Sequence, residues 1–235
     1  MKTESSEMRR PASSCYRSRE YAMLNRPIEI GRHLERVRRY LRPRWDDRLL
    51  EIGCSRGYLT RRVREELSPA TTGVDLNPEA IANACVDGLS VMDAQALAYE
   101  DESFDKIYSF HCIEHIPDLG GAFREMSRVL KPGGRILLVY PAEPIRGLYV
   151  VPTAIIVFGN ALRAREIHLH KLWPAKIERM LAATSLDVTA TALDLLLTPQ
   201  FITVLEKQSR PAKVAIARPK SGTSRAGARE PVSTL

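Results

Sequence analysis

Three acidic side chains stand beside short apolar runs, and the first of them opens a glycine turn. The segment Glu51-Ile52-Gly53-Cys54-Ser55-Arg56-Gly57 comes directly after Leu49-Leu50. A glycine-rich turn between a strand and a helix lets a ligand come close to the backbone. At the carboxyl edge of a doubly wound sheet, such a turn is where nucleotides bind. The spacing is not that of the G-x-G-x-x-G dinucleotide fingerprint. Asp75 stands 22 residues after Gly53, and a carboxylate there can accept from both hydroxyls of a ribose. Asp93 closes a third apolar run, placed to take an exocyclic adenine amine. A helix cap or turn carboxylate explains each acid singly; three at consecutive strand ends point to a site. His168 and His170 alternate around Leu169 near Glu166, but imidazoles at that spacing without a further carboxylate motif do not make a metal centre, and no metal is expected. Cys15, Cys54, Cys85 and Cys112 form no C-x-x-C pair. They read as reduced, structural thiols of a cytosolic protein, without a base to activate them.

Alternating elements must position these groups. Ile30, Leu34, Val37 and Leu41 recur at helical spacing, which predicts a helix over 27–41. Strands are predicted at 49–53, 72–76, 89–93, 104–110 and 135–140, with a helix over 58–67. Asn77-Pro78 fits a helix start, with Asn at the cap and Pro at the first helical position. Leu119, Phe123, Met126 and Leu130 mark another helix face, and Lys131-Pro132-Gly133-Gly134 should end it. A helix over 172–183 and strands over 185–197 and 201–206 complete the pattern. The expected fold is α/β: a doubly wound, mostly parallel, seven-stranded sheet with helices on both faces.

Length and charge bound the rest. The 235 residues are 44% hydrophobic and 27% charged, an ordinary globular composition and neither disordered nor fibrous as a whole. The net charge of +7 divides into +6 over 1–50, −4 over 51–205 and +5 over 206–235. Basic ends on a mildly acidic body allow membrane-surface or nucleic-acid contact through the ends alone; solvated tails are the simpler reading. The expected organisation is a flexible segment over 1–19, one domain over 20–208 with an insertion at 141–170, and a disordered basic tail over 209–235. The run Leu148 to Phe158 is too short to span a bilayer, and the N-terminal residues lack the apolar core of a secretory signal. The chain is therefore expected to be cytoplasmic.

Together, the 51–57 turn, Gly73-Val74-Asp75-Leu76-Asn77-Pro78, Asp101-Glu102-Ser103-Phe104-Asp105-Lys106-Ile107-Tyr108-Ser109, Glu114-His115-Ile116-Pro117-Asp118 and Arg128-Val129-Leu130-Lys131-Pro132-Gly133-Gly134 resemble the class I S-adenosylmethionine-dependent methyltransferases, over about residues 48–141. The likeness is greatest to the branch acting on quinones, lipids and other small molecules. It implies S-adenosyl-L-methionine as cofactor, with Glu51 toward the methionine ammonium and Gly53 and Gly57 admitting the cofactor to the turn. It further implies Asp75 on the ribose, Leu76 on the adenine face, Asp93 and Ala94 at the adenine edge, and Phe110 and His111 at the methionine end. Ser55 stands where the family usually has glycine. The methyl sulfonium is already activated, so alignment and exclusion of water do most of the work. A hydroxyl or acidic-carbon acceptor also needs a general base. His111 is the best placed candidate, with His115 and His168 as further ones.

The expected function is methyl transfer to a small, largely apolar organic acceptor, walled by the 27–41 helix, the 111–115 loop and the 141–170 insertion, where Arg146 could pair with an anionic group. A nucleic-acid methyltransferase is disfavoured, because His111-Cys112-Ile113-Glu114 stands where a base-reading motif would come after the fourth strand. A cofactor-binding regulatory protein without catalysis is the alternative from another class, favoured only by Ser55. A nicotinamide dehydrogenase is disfavoured by the glycine spacing.

Overall fold

The computed structural model describes residues 29–142, 169–196 and 199–209. The expected tails, and most of the 141–170 insertion with Arg146, Leu148 to Phe158 and His168, lie outside the described residues.

Seven strands form one sheet: β1 (Leu49–Ile52), β2 (Thr71–Asp75), β3 (Leu89–Val91), β4 (Phe104–Phe110), β5 (Leu130–Pro141), β6 (Leu186–Asp194) and β7 (Gln200–Lys207). Their order is β3-β2-β1-β4-β5-β7-β6. β1 to β5 run parallel, while β7 pairs antiparallel with both β5 and β6. This is the expected mostly parallel, seven-stranded α/β sheet. The helices are α1 (Ile30–Arg36), α2 (Tyr58–Glu66), α3 (Pro78–Ala82), α4 (Leu119–Val129) and α5 (Pro174–Met180).

Side chains alternate between the two faces of each strand, and the sheet has a core on each. On one face, Leu34, Val37 and Leu41 meet Leu49, Tyr108, Leu137, Val139 and Val204, with Leu59 and Val63 of α2 beside them. On the other, Phe123 and Met126 of α4 and Ile177 of α5 meet Leu50, Ile107, Ile136 and Leu138. β5 is buried almost throughout its second half, as a strand covered on both faces must be. The apolar spacing read as one long helix becomes α1 and then a π-helical turn, Val37–Leu41, which ends at Arg42 in the left-handed conformation.

α4 ends at Val129, before the Lys131-Pro132-Gly133-Gly134 segment, as expected; Leu130 already pairs with Phe104, and the ladder resumes at Arg135. A register shift opposite Phe104 and Lys106 accommodates Pro132, which has no N–H to give to a ladder. The Asn77 cap is as expected: its side chain accepts from the backbone N–H groups of Glu79 and Ala80, with Pro78 next in the chain. The third strand is shorter than expected and ends at Val91, so Asp93 lies in the turn beyond it.

The β1–α2 turn is fixed by two glycines, both at φ +78°. A Cβ on Gly53 would stand 2.5 Å from both Cβ and Sγ of Cys112, and one on Gly57 would stand 2.5 Å from Cδ1 of Leu89. Cys112 is held by its backbone, whereas the end of Leu89 can turn aside. Gly53→Ala should therefore cost about 2–4 kcal/mol, combining left-handed strain with overpacking. Gly57→Ala should cost about 1–2 kcal/mol, chiefly the strain. Urea denaturation of the two variants checks the order; equal losses would mean that the Cys112 contact relaxes freely.

Candidate functional site

β1 brings Glu51 to the carboxyl edge, where its register partner on β4 is Tyr108. The Glu51 carboxylate is buried and accepts hydrogen bonds from the hydroxyls of Thr60, on α2, and Tyr108. Burial pushes its pKa up to about 8, opposed by those two hydrogen bonds and reinforced by Asp75.

Asp75 ends β2 and reaches back to the glycine turn. Its Oδ2 accepts from the Ser55 backbone N–H at 2.7 Å and its Oδ1 from that of Asn77 at 2.8 Å. The Leu76 backbone N–H acts on the same carboxylate, which, with about four acceptor sites, keeps capacity for a further donor. Burial raises the Asp75 pKa as well, against these backbone bonds. Ser55 adopts φ +48°, the left-handed conformation that glycine would take without cost, and its N–H is one of those that orient Asp75.

Cys112 covers Gly53 and sits among acids. Its thiol is pushed up by burial and by the charges of Asp75, Glu114 and Glu51; Cys54 is raised by burial, Glu51 and Asp75. Neither thiol is poised as a nucleophile. Asp75 and Glu114 bring acidic groups to this edge, and Glu51 adds a negative charge when it ionises, an arrangement suited to a cationic ligand.

The remaining expected positions divide. Asp93 lies in the turn after β3 and accepts from both the backbone and side-chain nitrogens of Gln95, while Gln95 Oε1 accepts from the Asp118 backbone N–H. Leu76 and Ala94 are half-buried at the same edge. Phe110 stacks on His33 of α1, ring centroids 4.3 Å apart, and belongs to the core cluster on that face. His111 comes next at φ +50°, with Nε2 3.0 Å from Gln200 Oε1 and Nδ1 3.9 Å from Glu114 Oε1. His115 lies in a 3-10 turn (Ile113–His115) with Nε2 3.8 Å from Glu114 Oε1. His170 sits against the loop after that turn, its Nε2 2.8 Å from the Ile116 carbonyl.

Sequence reasoning missed the partners of these groups. Thr60, Tyr108, Gln95, Gln200, His33 and Arg36 were not singled out. Tyr108 had a signal, because alternation along β4 puts it on the face opposite to Ile107 and Ser109. Gln200 had none: its place depends on the long-range pairing of β7 with β5, where it faces Pro141. Glu29, His33 and His111 each bring one ligand-capable atom within 4.8 Å of the others. Burial and the charges of Arg36 and Arg32 hold the His33 pKa down at about 3, and the same positive field opposes a cation there.

Residues 50–138 match the family model described as a methyltransferase domain. The chain is 31% identical over 131 residues to the 27-O-demethylrifamycin SV methyltransferase of Amycolatopsis mediterranei, which covers 52% of this chain and 46% of that protein. It is 35% identical over 100 residues to phosphoethanolamine N-methyltransferase 2 of Caenorhabditis elegans, which covers 38% of this chain and 23% of that one. The chain thus spans less than half the length of these two curated relatives. Its fold is shared with a chain of the complex between the Haloferax volcanii Trm112 methyltransferase activator and a methyltransferase, with a TM-score of 0.63, 19% identity and coverage of 84% of this chain and 97% of that one. Over residues 50–138 the chain is thus similar to the class I S-adenosylmethionine-dependent methyltransferases.

The buried Glu51 carboxyl sets a pH signature for the protein without ligand. Its pKa is raised from 4.5 to about 8, so the stability it contributes is full below 4.5 and is lost as pH rises to 8. His33, lowered from 6.5 to about 3, acts oppositely, its contribution growing from pH 3 to 6.5. The two offset each other between pH 4.5 and 6.5, and of this pair Glu51 is the one that acts above pH 6.5. Stability should fall between pH 6.5 and 8 by up to about 1.4 kcal/mol per pH unit. Denaturation of Glu51→Gln should show that decline removed; an unchanged slope would assign it to another group.

Proposed function

We propose that this chain transfers the methyl group of S-adenosylmethionine to a small, largely apolar organic acceptor lying over the carboxyl edge of β4, with His111 as general base. The observation that carries the proposal is the acid set around the Gly53–Cys112 contact: Glu51, Asp75 and Glu114. That set fits the ligand's chemistry. Glu51, acceptor-only when ionised, meets an ammonium. The Asp75 carboxylate, held by backbone N–H groups, keeps acceptor capacity for a ribose hydroxyl. The combined negative field suits a molecule carrying both an ammonium and a sulfonium.

When bound, S-adenosylmethionine supplies an activated methyl group that leaves by in-line displacement. The protein's part is to align and to dry the reacting atoms. Gly53 and Gly57 hold the turn that Ser55 N–H ties to Asp75. Asp93 and Ala94 border the adenine, with Leu76 against its face; the Asp93 carboxylate must share its Gln95 contacts to accept an adenine amine. His111, Phe110 and His33 stand at the end of β4, where the methyl would emerge. His115, tied to Glu114, supports that loop.

Anchorage supports the 143–168 segment as the acceptor's wall. The segment leaves the sheet where Ala142 N–H donates to the Pro199 carbonyl, and returns where Leu169 and His170 donate to the Glu114 carbonyl. The described ends thus adjoin Gln200, through Pro199, and Glu114, the two residues whose side chains flank the His111 ring. Apolar burial against the uncharged run Leu148 to Phe158 would supply about 25 cal/mol per Å². The rifamycin relative's name places an O-methyl on an organic acceptor and the phosphoethanolamine relative's an N-methyl. A hydroxyl acceptor is the one that needs His111.

Two variants test the parts separately. Asp75→Ala should weaken binding of S-adenosylhomocysteine by about 10- to 100-fold, as hydroxyls lose a charged acceptor; calorimetry with unchanged affinity would remove Asp75 from the site. His111→Asn, which tolerates the left-handed backbone, should lower turnover of labelled S-adenosylmethionine against a panel of hydroxyl acceptors by about 10²–10⁴ with cofactor affinity unchanged. Intact turnover would exclude His111 as base.

A further inference from the structure

We infer that Gln200, oriented by Arg36, is a positioning residue that fixes His111 as the Nε2–H tautomer and leaves Nδ1 as the basic nitrogen. The inference deepens the proposed function and rests on His111 as its base.

Oε1 of Gln200 lies 3.3 Å from Nη1 of Arg36 and 3.0 Å from Nε2 of His111. A guanidinium is a donor only, so the amide atom facing it must be the oxygen, and this removes the usual ambiguity of an amide flip. An amide oxygen is an acceptor only. The imidazole nitrogen facing the same atom must therefore carry the hydrogen and donate it. In the neutral ring one nitrogen donates and the other accepts, so Nδ1 holds the lone pair.

The relay is rigidly held. Gln200 is 1% exposed. Arg36 is 7% exposed and its other nitrogen pairs with Asp194, which Arg32 also reaches at 3.0 Å. α1, β6 and β7 thus converge on one side chain of the β4 loop. Gln200 cannot turn its NH₂ toward His111 without facing that NH₂ to Arg36.

Nδ1 lies 3.9 Å from Glu114 Oε1, and the His33 ring centroid lies 6.0 Å from that of His111. In the reaction, the acceptor's O–H proton passes to Nδ1 as the O–CH₃ bond forms and the S–CH₃ bond breaks. The resulting imidazolium donates from Nε2 to Gln200 and faces the Glu114 carboxyl from Nδ1. Among the described residues, the charged or titratable groups around it include Glu114 from the 3-10 turn, His33 and Glu29 from the start of α1, and Arg36 behind Gln200. Arg36 meets the ring through a neutral amide, which transmits hydrogen-bond polarity.

The test is the ¹⁵N NMR of the full chain, with the His111 signals assigned by their loss in His111→Asn. In the wild-type protein above the His111 pKa, His111 should be entirely the Nε2–H tautomer; a mixed or Nδ1–H population overturns the proposal. Arg36→Met frees the amide to turn, and Gln200→Met removes the acceptor. Each should shift the tautomer ratio at least about tenfold toward Nδ1–H. Gln200→Glu keeps an oxygen toward both partners, so it should preserve the Nε2–H form and raise the His111 pKa. S-adenosylhomocysteine affinity should stay within about twofold in all three variants, which also reports that they are folded. Unchanged tautomer ratios in folded Arg36→Met and Gln200→Met would overturn the relay. The NMR result needs no turnover, so a failure of His111 as base, read from His111→Asn kinetics, stays distinguishable from a failure of the relay.

Discussion

The close passage of the β4 loop over Gly53 is the constraint on which the site depends. β1 lies between β2 and β4, both parallel to it, and the chain leaves all three strands at the same edge. The Ser109 hydroxyl donates to the Ile52 carbonyl at 3.0 Å and ties the ends of β1 and β4 together. Three residues further on, Cys112 occupies the space a side chain on Gly53 would need. That contact holds the loop bearing His111 against the turn that orients Asp75. A side chain at 53 would separate the turn from the loop.

Much of this was legible in the sequence, for reasons that are local. The strands of the parallel core are continuous apolar runs, and the acids at their ends stand out because a carboxylate is costly beside such a run. Asn77-Pro78 names its own helix start. What could not be read depends on pairing across the sheet. Gln200 meets Arg36 across an interval of 164 residues and His111 across 89, so no window of sequence contains either pair. The same holds for Thr60, which is an ordinary helical threonine until the fold sets it over Glu51. His170, notable in the sequence for its spacing from His168, is held by backbone carbonyls of the 116–117 segment, a contact that ties the returning chain to the site.

Backbone strain concentrates near the same edge. Among the described residues, four non-glycine positions have positive φ, and two of them, Ser55 and His111, flank the site. Each costs about 1–2 kcal/mol in that conformation, and each is overdetermined by bonds around it. Ser55 donates its N–H to Asp75, while the N–H of His111 donates to the Val139 carbonyl at 2.8 Å. The strain places a donor at the base of one acid and aims one imidazole along the edge, a distribution expected where geometry serves a ligand more than the fold.

The shifted groups carry the same logic into energetics. Glu51, Asp75, Cys54 and Cys112 are all moved toward their neutral forms, and in each case burial is the largest cause. Without ligand, ionising Glu51 at neutral pH adds charge to a cluster that already repels it. An ammonium beside Glu51 reverses the sign of that interaction, because an opposite charge favours the carboxylate. In the proposed binding mode, cofactor binding would release the Glu51 proton, and the energy withheld from folding between the usual and the shifted pKa would return as binding energy. The loss of the sulfonium's charge on transfer removes part of the attraction while leaving the ammonium in place. In that binding mode the same acids would hold the demethylated product less tightly than the donor, which would favour exchange.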